Sequence, residues 1–580
     1  MSGPNPTSFL AEEPSNVTGK PPETTAGPET ATATATAAAA APSTNHHEST
    51  SVKETEVKPE DSQHDHDAEP VYATGFKLFT IMTAITLPCF LMLLDTSIIV
   101  TAIPVITNRF NSLPDVGWYG SAYLIASAVL QPLTGKIYMS FNSKWTFMGF
   151  FALFELGSLL CGVAVSSTML IVGRAVAGMG TSGILNGAFT IIAGCSPMVK
   201  RPTLIGLLSG ISQLGIVLGP LIGGALTEHS TWRWCFYLNL PIGGAVFVVL
   251  ALIHIPEQIV KPPWKTVIRT LPAQLDLVGF AIFAPAAIML LLALEYGGII
   301  YAWNSRYVIG LFCGAGVTFL LWLAWDYHKG DAAMIPLSMA KKRVVWSGCL
   351  TYGFFLAQMF TVSYYLPIYF QAINGASPTL SGVYMLPLMA PHVAFSFLSG
   401  VLVGKVGYFL PFGLIGGALA AVSNGLFSTM GVGTSTGQWV GYQVIRGAAR
   451  GIALQVPIIA VQNSLPPPQI PIAMALLMFS QALGGSLFLS FASTIFTNSL
   501  KTLIPQYAPS VDPQQIIDVG ATGFRGIIRN PQELDGVLAG YARSVDRVHY
   551  LTAAAAVASF FTCCFVGLKD IRKRNQPSKV

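Results

Sequence analysis

The feature that most constrains this chain is a long succession of apolar segments, which begins near residue 76 and continues to about residue 568. Of the 580 residues, 52% are hydrophobic and only 10% are charged, whereas a soluble domain has about 25% charged residues. A chain so poor in charge cannot cover its own surface in water. Because a helix needs about 20 apolar residues to cross a bilayer, the sequence predicts an all-α, polytopic membrane protein.

The apolar segments predict fourteen transmembrane helices, and an even number places both termini on one side of the membrane. The predicted spans are residues 78–105, 117–138, 145–165, 168–194, 203–227, 235–254, 277–296, 307–326, 345–370, 380–403, 409–430, 437–462, 471–497 and 549–568.

Basic residues are unevenly distributed among the loops. The short loops of one set offer little beyond Arg109, Arg233 and Arg306. The alternate loops and the C-terminus carry Lys136, Lys144, Lys200, Arg201, Lys261, Lys265, Arg269, Lys329, Lys341, Lys342, Arg343, Lys405, Lys569, Arg572, Lys573 and Arg574. By the positive-inside rule this second set is cytoplasmic. Both termini are therefore predicted in the cytoplasm, with the plasma membrane favoured and the vacuolar membrane as the alternative.

Composition divides the chain into five regions. Residues 1–75 are rich in Thr, Ala, Pro and Glu, which predicts a disordered cytoplasmic tail. In this tail Asn16 begins a glycosylation acceptor that the topology places in the cytoplasm, and the run from His64 to Asp67 is too weak a pattern to predict a metal site. The other regions are a six-helix bundle (76–255), a linker with two extra helices (256–343), a second six-helix bundle with an outer loop at 498–548 (344–568), and a cytoplasmic tail (569–580).

The composition also excludes several classes of function. The net charge of +5 forms no basic face, which argues against a nucleic-acid partner. The sequence has no nucleotide-binding loop, no metal-ligand set and no nucleophile constellation, so we predict neither an enzyme nor a protein cofactor. The expected partners are the bilayer, protons and a small-molecule substrate, and a single chain is expected to suffice.

A sequence repeat relates the two predicted bundles. Gly173-Arg174 is followed by Gly178, and Arg446-Gly447 is followed by Gly451. Ser212-Gln213 and Ser480-Gln481 come about forty and thirty-five residues after the two arginines, each followed by glycines. Parallel repeats are one of the known plans of transporters, with the substrate site between the halves near the bilayer midplane.

Three ionisable residues inside predicted spans are the strongest functional candidates, because such residues are costly in a bilayer and usually face a cavity or a partner. Asp95, in the first span, can alternate between protonated and charged states, which a proton-coupled carrier requires; a carboxylate fixed between helices is the alternative. Arg174 is its natural counter-charge. Glu155, in the third span, is a second titratable candidate.

The fifth span carries a row of glycines broken by a proline. This pattern allows close helix contact and a bend, and it predicts a conformational hinge between the halves, with plain helix packing as the alternative. The hinge candidates are Gly215, Gly219, Pro220, Gly223 and Gly224.

The later spans carry aromatic and amide side chains that suit a bulky, mostly uncharged ligand. Arg446 and Arg450, one helical turn apart, either contact an anionic group or pair with polar neighbours. The predicted substrate-cavity residues are Tyr365, Gln371, Tyr442, Gln443, Arg446, Gln455 and Gln481.

Together these motifs resemble the major facilitator superfamily (MFS), and specifically the fourteen-helix drug:proton antiporters of fungi. The stretch from Leu94 to Pro104 is similar to the first-helix motif of the family, and Gly173-Arg174 with Gly178 and Gly180 is similar to the fourth-helix motif. The resemblance implies proton roles for Asp95 and Arg174. It also implies an antiporter motif in 215–224, and two halves of six helices with two extra helices between them.

Two further stretches resemble the toxin-efflux group of fungi, namely 231–241 and 364–371. One loop departs from the family pattern Gly-x-x-x-Asp-Arg-x-Gly-Arg-Lys. Here Met139 and Ser140 replace the acid and the central arginine, so that only Gly135 and Lys144 remain of the implied cytoplasmic gate.

The sequence therefore predicts an exporter of a small organic molecule, such as a fungal secondary metabolite, a toxin or a drug, driven by the proton gradient. The alternative is a plasma-membrane or vacuolar carrier for a specific charged solute such as a basic amino acid or a siderophore.

Overall fold

The computed structural model describes residues 72–110, 112, 115–258, 261, 274–298 and 300–573. Asn16, the run 64–67, and the loop charges Lys265, Arg269 and Arg574 lie outside these residues. Within the described part of the chain there are no strands, only two isolated β-bridges. The all-α class is confirmed.

The helices of the first part of the chain are numbered in order. They are α1 (Gly75–Phe110), α2 (Val116–Ser140), α3 (Ser143–Gly162), α4 (Ser167–Cys195), α5 (Arg201–His229), α6 (Trp234–Tyr237), α7 (Asn239–Leu252), α8 (Leu277–Tyr296) and α9 (Arg306–Lys329), which a 3-10 turn (Gly330–Ala332) follows.

The second part continues the numbering. It contains α10 (Leu337–Ala340), α11 (Arg343–Ala372), α12 (Pro378–Val383), α13 (Leu386–Val406), α14 (Leu410–Phe427), α15 (Thr436–Ala453), α16 (Val456–Ser464), a 3-10 turn (Pro467–Gln469), α17 (Ile470–Tyr507), α18 (Pro513–Ile527) and α19 (Pro531–Cys564).

Among the described residues, twelve helical segments are long and apolar enough to cross a bilayer. The two predicted spans outside these twelve coincide with α2 and α19, which are helical over 25 and 34 residues but more polar. In α2 the polar side chains are turned inward, since Gln131, Thr134 and Lys136 are all buried. In α19 charged residues occupy the first half of the helix, before residue 549.

Three predicted spans are interrupted in the structure, and each interruption comes two or three residues before a proline. The breaks separate α6 from α7, α12 from α13, and α15 from α16, and Pro241, Pro387 and Pro457 follow them. Proline lacks the N–H that would continue the helical hydrogen bonds, and its ring clashes with the preceding turn. The chain therefore bends at these points while it continues in the same general direction.

Polar side chains cap several helix starts. Ser166 accepts from the N–H of Met169 at α4, and Asn142 accepts from the N–H of Trp145 at α3. At α15 Ser435 and Gln438 form a capping box. Such caps satisfy backbone N–H groups that have no partner inside the helix.

The helices pair in the same pattern in both parts of the chain. In the first, α1 packs on α5, and α4 packs on α2 and α3; in the second, α11 packs on α17, and α15 packs on α13 and α14. The main contacts between the parts are made by two helix pairs, α5 with α13 and α2 with α17. The extra helices α8 and α9 pack on each other, and α8 also contacts α2 and α17.

The repeated glycines lie at equivalent helix contacts. A Cβ atom on Gly178 of α4 would lie 2.2 Å from the backbone oxygen of Tyr123 in α2, and one on Gly451 of α15 would lie 2.5 Å from the backbone oxygen of His392 in α13. Both glycines are thus required for close approach of the two backbones.

Burial changes along α17. Every residue from 470 to 478 except Leu476 is buried, whereas most residues from 479 to 498 are half-exposed. The same contrast appears in α15 and α16, where every residue from 446 to 462 except Ile452 is buried. The bundle is therefore tightly packed at the end where α16 finishes and α17 starts, and looser toward the opposite end.

The predicted outer loop at 498–548 is mostly helical. Helix α17 extends to Tyr507, α19 begins at Pro531, and the amphipathic α18 lies between them, with a break at Gly520 where φ is 70°. Phe524 is fully buried, and Arg525 donates hydrogen bonds to the carbonyls of Ala372 and Ile373. Helix α18 therefore closes the end of α11, whose last carbonyls would otherwise lack partners.

The linker after α7 is attached to the α2–α3 turn. Lys261 donates hydrogen bonds to the carbonyls of Tyr138 and Phe141 and approaches Glu257 at 3.5 Å. Burial lowers the pKa of Lys261, which shows that this predicted loop charge lies against protein rather than in open solvent.

The helices of the first part, α1–α7, are called the first set, and those of the second part, α11–α19, the second set. The glycine row of α5 packs on α1 within the first set. A Cβ atom on Gly215 would lie 2.6 Å from the backbone oxygen of Phe90, and one on Gly223 would lie 2.6 Å from that of Ile98. Gly219 faces Ser97, whose hydroxyl donates to the carbonyl of Gly215 at 3.1 Å. The row is thus a seam between α1 and α5, and it does not lie between the two sets; Gly224 faces open space. A hinge role for the row and Pro220 stays a prediction.

Gly215→Ala should destabilise the protein by about 1–3 kcal/mol, because the added methyl group meets backbone atoms that cannot move aside. Gly224→Ala is the matched control; it adds the same methyl group to the same helix where there is room. Thermal unfolding of both purified variants in detergent measures the difference. Equal melting temperatures for the two variants would contradict the seam.

Candidate functional site

An ion pair is buried between α1 and α4. Nη1 of Arg174 lies 2.5 Å from Oδ2 of Asp95, and both side chains are 1% exposed. It is the only pair of opposite charges, both fully buried, among the residues that the structure describes. The two residues that the sequence predicts for proton coupling are therefore in direct contact.

The Arg174 guanidinium group is held on further sides by α2. Its Nε donates to the carbonyl of Tyr119 at 2.9 Å, and its Cζ lies 4.2 Å from the ring centre of Tyr123. The hydroxyl of Tyr123 donates to the carbonyl of Met92, one turn before Asp95. A buried guanidinium group needs such neighbours, because its desolvation is otherwise uncompensated.

Asn239 connects the ion pair to α3. The amide donates to Oδ1 of Asp95 at 3.3 Å and to the hydroxyl of Ser158 at 3.0 Å. Asn239 is 1% exposed and stands at the start of α7, directly after the bend. One carboxylate thus receives hydrogen bonds from both Arg174 and an amide, which stabilises its charged form.

Glu155 is a second acid beside this pair. It lies within electrostatic range of Asp95, and both of its carboxylate oxygens are buried without a hydrogen-bond partner in the described part of the chain. The carboxylate rests against Gly243 of α7, where any larger residue would meet it. A buried carboxylate without hydrogen bonds or a counter-charge is far more easily protonated than one that is paired.

The contact between Asp95 and Arg174 is ionic, and it joins α1 to α4. Removing the charge of either side chain would weaken that attachment and leave the other side chain to its remaining neighbours on α2 and α7.

The predicted cavity residues do not form one group. Tyr365 is buried against Phe496, and Gln371 donates to the hydroxyl of Ser381. Gln455 donates to the hydroxyl of Ser399 and the carbonyl of Ser396, within the second set of helices. Tyr442 and Gln481 are half-exposed.

Gln443 and Arg446 share a different environment, since both are buried and have polar atoms without partners among the described residues. Helix α15 therefore carries a separate polar group, distinct from the aromatic residues near Tyr365.

The two residues predicted for the cytoplasmic gate have different surroundings. Gly135 of α2 lies against the start of α17, where a Cβ atom would come within 2.7 Å of the Ile472 backbone. Lys144 donates to the carbonyls of Ala251 and Ile253 at the end of α7. Gly135 is thus at the contact between the two sets of helices, while Lys144 joins helices of the first set.

The sequence does not predict several residues of the site. Tyr119, Tyr123 and Ser158 are ordinary residues of apolar helices, and only the fold brings them to the ion pair. Asn239 could have been found from the sequence, since an amide inside an apolar stretch is costly in a bilayer unless it has partners.

The sequence predicts Lys136 as a loop charge. In the structure it is buried, within electrostatic range of Asp276 and Asp326 of the extra helices. Its ammonium group donates to the carbonyl of Ala332 at 3.5 Å, so it connects α2 to the turn after α9. In the described residues no three His, Cys, Asp or Glu side chains come together as a metal site.

Residues 86–489 match the model of the Major Facilitator Superfamily. The MFS-type transporter pigP of Monascus ruber is 61% identical over 506 residues, which cover 87% of this chain and 89% of that protein. The efflux pump mlcE of Penicillium citrinum is 49% identical over 534 residues, which cover 90% of this chain and 96% of that protein.

Among solved structures, the proton:xylose symporter XylE bound to 6-bromo-6-deoxy-D-glucose has a similar fold. Its TM-score is 0.55, and the match covers 85% of this chain and 97% of that one. At 16% identity the similarity concerns the fold alone.

Removing one member of the ion pair should cost more than removing both. Asp95→Asn leaves a buried guanidinium group without a counter-charge, and Arg174→Gln leaves a buried carboxylate; the double variant leaves neither. We expect a coupling free energy of about 1–3 kcal/mol from thermal unfolding of the two single variants and the double variant.

The control is the pair of Asp570 and Arg572, in which the arginine side chain is 50% exposed. The hydrogen bonds from Arg572 lower the pKa of Asp570 to about 2, but solvent screens the guanidinium charge, so Asp570→Asn and Arg572→Gln should couple much more weakly than the buried pair. Additive effects at Asp95 and Arg174 would show that the buried pair is not a unit.

Proposed function

Because the chain belongs to the major facilitator superfamily and groups with its fungal efflux pumps, as its motifs predict, we propose that it exports a small organic molecule by proton antiport. The observation that carries this proposal is the buried ion pair of Asp95 and Arg174 with Glu155 beside it. The chain is a transporter of this family, and the proton is the proposed driving ion.

The proposed cycle uses the two states of the ion pair. With Asp95 charged, its contact with Arg174 holds α1 and α4 together. A proton from the outer solution neutralises Asp95 and weakens that contact, so that the helices rearrange and the cavity opens toward the cytoplasm. There the proton leaves, substrate binds and the pair re-forms. Proton and substrate thus favour opposite states, which is alternating access by differential binding.

Glu155 is proposed as the first acceptor of the incoming proton. Its carboxylate has no partner to give up, whereas Asp95 must release Arg174. A proton on Glu155 removes the like charge next to Asp95 and is positioned to move to it as the helices rearrange. Asn239, bonded to Asp95 and Ser158, holds the acceptor in place.

The packing gradient indicates which state the structure represents. The end at which α16 finishes and α17 starts carries the predicted cytoplasmic loops, and it is tightly packed. The opposite end, toward which α17 becomes half-exposed, is the proposed outer face. On this orientation the structure is outward-facing, and the substrate path is closed on the cytoplasmic side.

The proposed topology has fourteen spans arranged as six, two and six. We count α2 and α19 as spans although they are more polar than the other twelve, because each packs lengthwise against helices of its own bundle, α2 on α4 and α19 on α11 and α14. Both termini are then cytoplasmic and the protein acts as a monomer, in the plasma membrane or the vacuolar membrane.

The proposed cargo is a secondary metabolite, a toxin or a drug rather than a basic amino acid. Two buried arginines, Arg446 and Arg450, lie at mid-span without an acidic partner in the described chain. Their positive charge opposes a cationic substrate.

Transport into inside-out vesicles tests the function. Vesicles that contain the wild type and are acidified inside should accumulate members of a panel of neutral and acidic fungal polyketides, measured by mass spectrometry, and a protonophore should abolish accumulation. Asp95→Asn should reduce transport to the rate of empty vesicles, because the residue can no longer bind and release a proton.

Asp570→Asn, which removes a carboxylate that follows the last helix and does not contact the site, is the control and should transport normally. Accumulation that does not depend on the pH gradient, or full transport by Asp95→Asn, would refute proton antiport.

A separate experiment tests the topology. A glycosylation acceptor inserted at residue 520, in the break of α18, should be modified when the protein is made in the secretory pathway, and an acceptor added after Val580 should not. If α19 did not span, both acceptors would lie on the same side, and both or neither would be modified. If α2 did not span and the N-terminus stayed cytoplasmic, the acceptor after Val580 would be modified and the one at residue 520 would not.

A further inference from the structure

A group of polar side chains is buried in the second set of helices with few partners. We call the five residues that form it, Arg446, Arg450, Gln443, His392 and His549, the arginine cluster. All five are at most 3% exposed. His392 lies within electrostatic range of both arginines, and His549 lies within range of Arg446.

Most hydrogen-bonding atoms of the arginine cluster are unused. Nε and Nη1 of both arginines, both ring nitrogens of both histidines and both polar atoms of Gln443 are buried, and they have no hydrogen-bond partner in the part of the chain that the structure describes. So many unsatisfied groups at one place are unusual for a folded interior, where buried polar groups are normally paired.

The charge of the cluster is also uncompensated. None of the four ion pairs among the described residues involves Arg446 or Arg450. The sequence repeat relates Arg446 to Arg174. Arg174 has Asp95 as its counter-charge. Arg446 has the same positive charge, but no acidic side chain forms an ion pair with it among the described residues.

The arginine cluster lies at the middle of the bundle. Arg450 is at the centre of the span Thr436–Ser464, and His392 is at the centre of the span Thr379–Val406. Nη2 of Arg450 donates to Oε1 of Gln213 at 2.8 Å, near the centre of α5. This hydrogen bond crosses between the two sets of helices.

We infer that the arginine cluster is the binding site for an ionised carboxylate group of the exported molecule, whose substrate class is therefore organic acids with a bulky apolar body. This inference rests on the proposed export function. A carboxylate has the charge that the two guanidinium groups lack, and its two oxygens accept several of the unused N–H donors.

The surroundings of the cluster suit the rest of such a molecule. The ring of Phe427 lies 5.3 Å from that of His549 and 6.4 Å from that of Tyr442. Gln358 and Asn424, which are hydrogen-bonded to each other at 2.8 Å, add two buried amides on neighbouring helices. An apolar or aromatic body would pack on these rings while its acid group contacts the arginines.

Contacts between α5 of the first set of helices and α13 of the second set control access to the cluster. In the present structure Gly206 of α5 lies against the backbone of Ser396 in α13, and the hydroxyl of Ser396 donates to the carbonyl of Gly206. Opening on that side separates α5 from α13 and removes Gln213 from Arg450. The cluster is then exposed to the cytoplasm and can bind an acid. When α5 returns, the Gln213 carbonyl oxygen again takes one donor and the acid is released outward.

Equilibrium binding tests the inference on the purified full-length protein in detergent. The probes are 1-pyrenebutyrate and 4-(1-pyrenyl)butan-1-ol, which share the aromatic body and differ in the acid group; binding is followed by fluorescence anisotropy after subtraction of empty micelles. We expect the acid to bind about tenfold more tightly than the alcohol, and Arg446→Gln to abolish this preference.

Arg525→Gln is the matched control, because it removes an arginine that serves the end of α11 far from the cluster, and the preference should remain. No binding of the acid, equal binding of acid and alcohol, or an unchanged preference in Arg446→Gln would overturn the inference.

A second variant leaves both arginines in place, so it also answers the question if Arg446→Gln does not fold. Gln213→Glu puts a carboxylate against Arg450 and should compete with the acid, weakening its binding about tenfold while binding of the alcohol is unchanged. Gln213→Met, which has no charge and a similar size, should not weaken acid binding. Equal affinity of the acid for the two variants would contradict a role for Arg450.

The binding assay needs no pH gradient and no transport. If the acid preference depends on Arg446 but vesicles show no gradient-driven accumulation, the site stands and proton antiport fails. If gradient-driven transport is seen but neutral and acidic molecules bind alike, the export function stands and the carboxylate site fails.

Discussion

A charge inside a lipid-embedded bundle must find a partner, and the contact between Asp95 and Arg174 is where this protein meets that requirement most completely. Both side chains are 1% exposed, so each depends on the other and on the amide and carbonyl groups around them. Helices α1, α2, α3, α4 and α7 each contribute a contact to this one place. The arrangement of the first six helices is therefore tied to the charge of a single carboxylate, which is what the proposed proton coupling requires.

The two halves of the chain use the same framework for different chemistry. Helix pairs and glycine contacts repeat, and the arginine of α4 recurs in α15. What differs is the negative charge, which is present on α1 and missing around Arg446. This difference suits the proposed division of work, in which the balanced pair exchanges a proton and the unbalanced arginine binds the anionic group of the substrate.

Much of this organisation could be predicted from the sequence, because a bilayer leaves the backbone few choices. Long apolar runs have to be helices, and most of the predicted spans match observed helices. The pairing of Asp95 with Arg174 was also predictable, since each is too costly alone. Contacts that depend on neutral side chains were not. Tyr123 and Ser158 carry no signal in a single sequence, and the α5 glycines fit a hinge as well as a seam until their neighbours are known. The pattern of charges also predicted Lys136 as a loop residue, whereas the structure shows it buried in α2 beside the extra helices.

The polarity of α2 and α19 has a consequence for how the protein is made. A segment that carries inward-facing Gln131, Thr134 and Lys136 gains little by entering lipid alone. Its polar face is satisfied only against α4, α8 and α17, and the last of these is synthesised more than 300 residues later. During synthesis α2 must therefore be held in the membrane by the apolar helices on either side of it, α1 and α3, while its inner face waits for a partner. Biogenesis of this chain thus passes through an intermediate whose polar interior is still open, and it is completed only when the second half arrives.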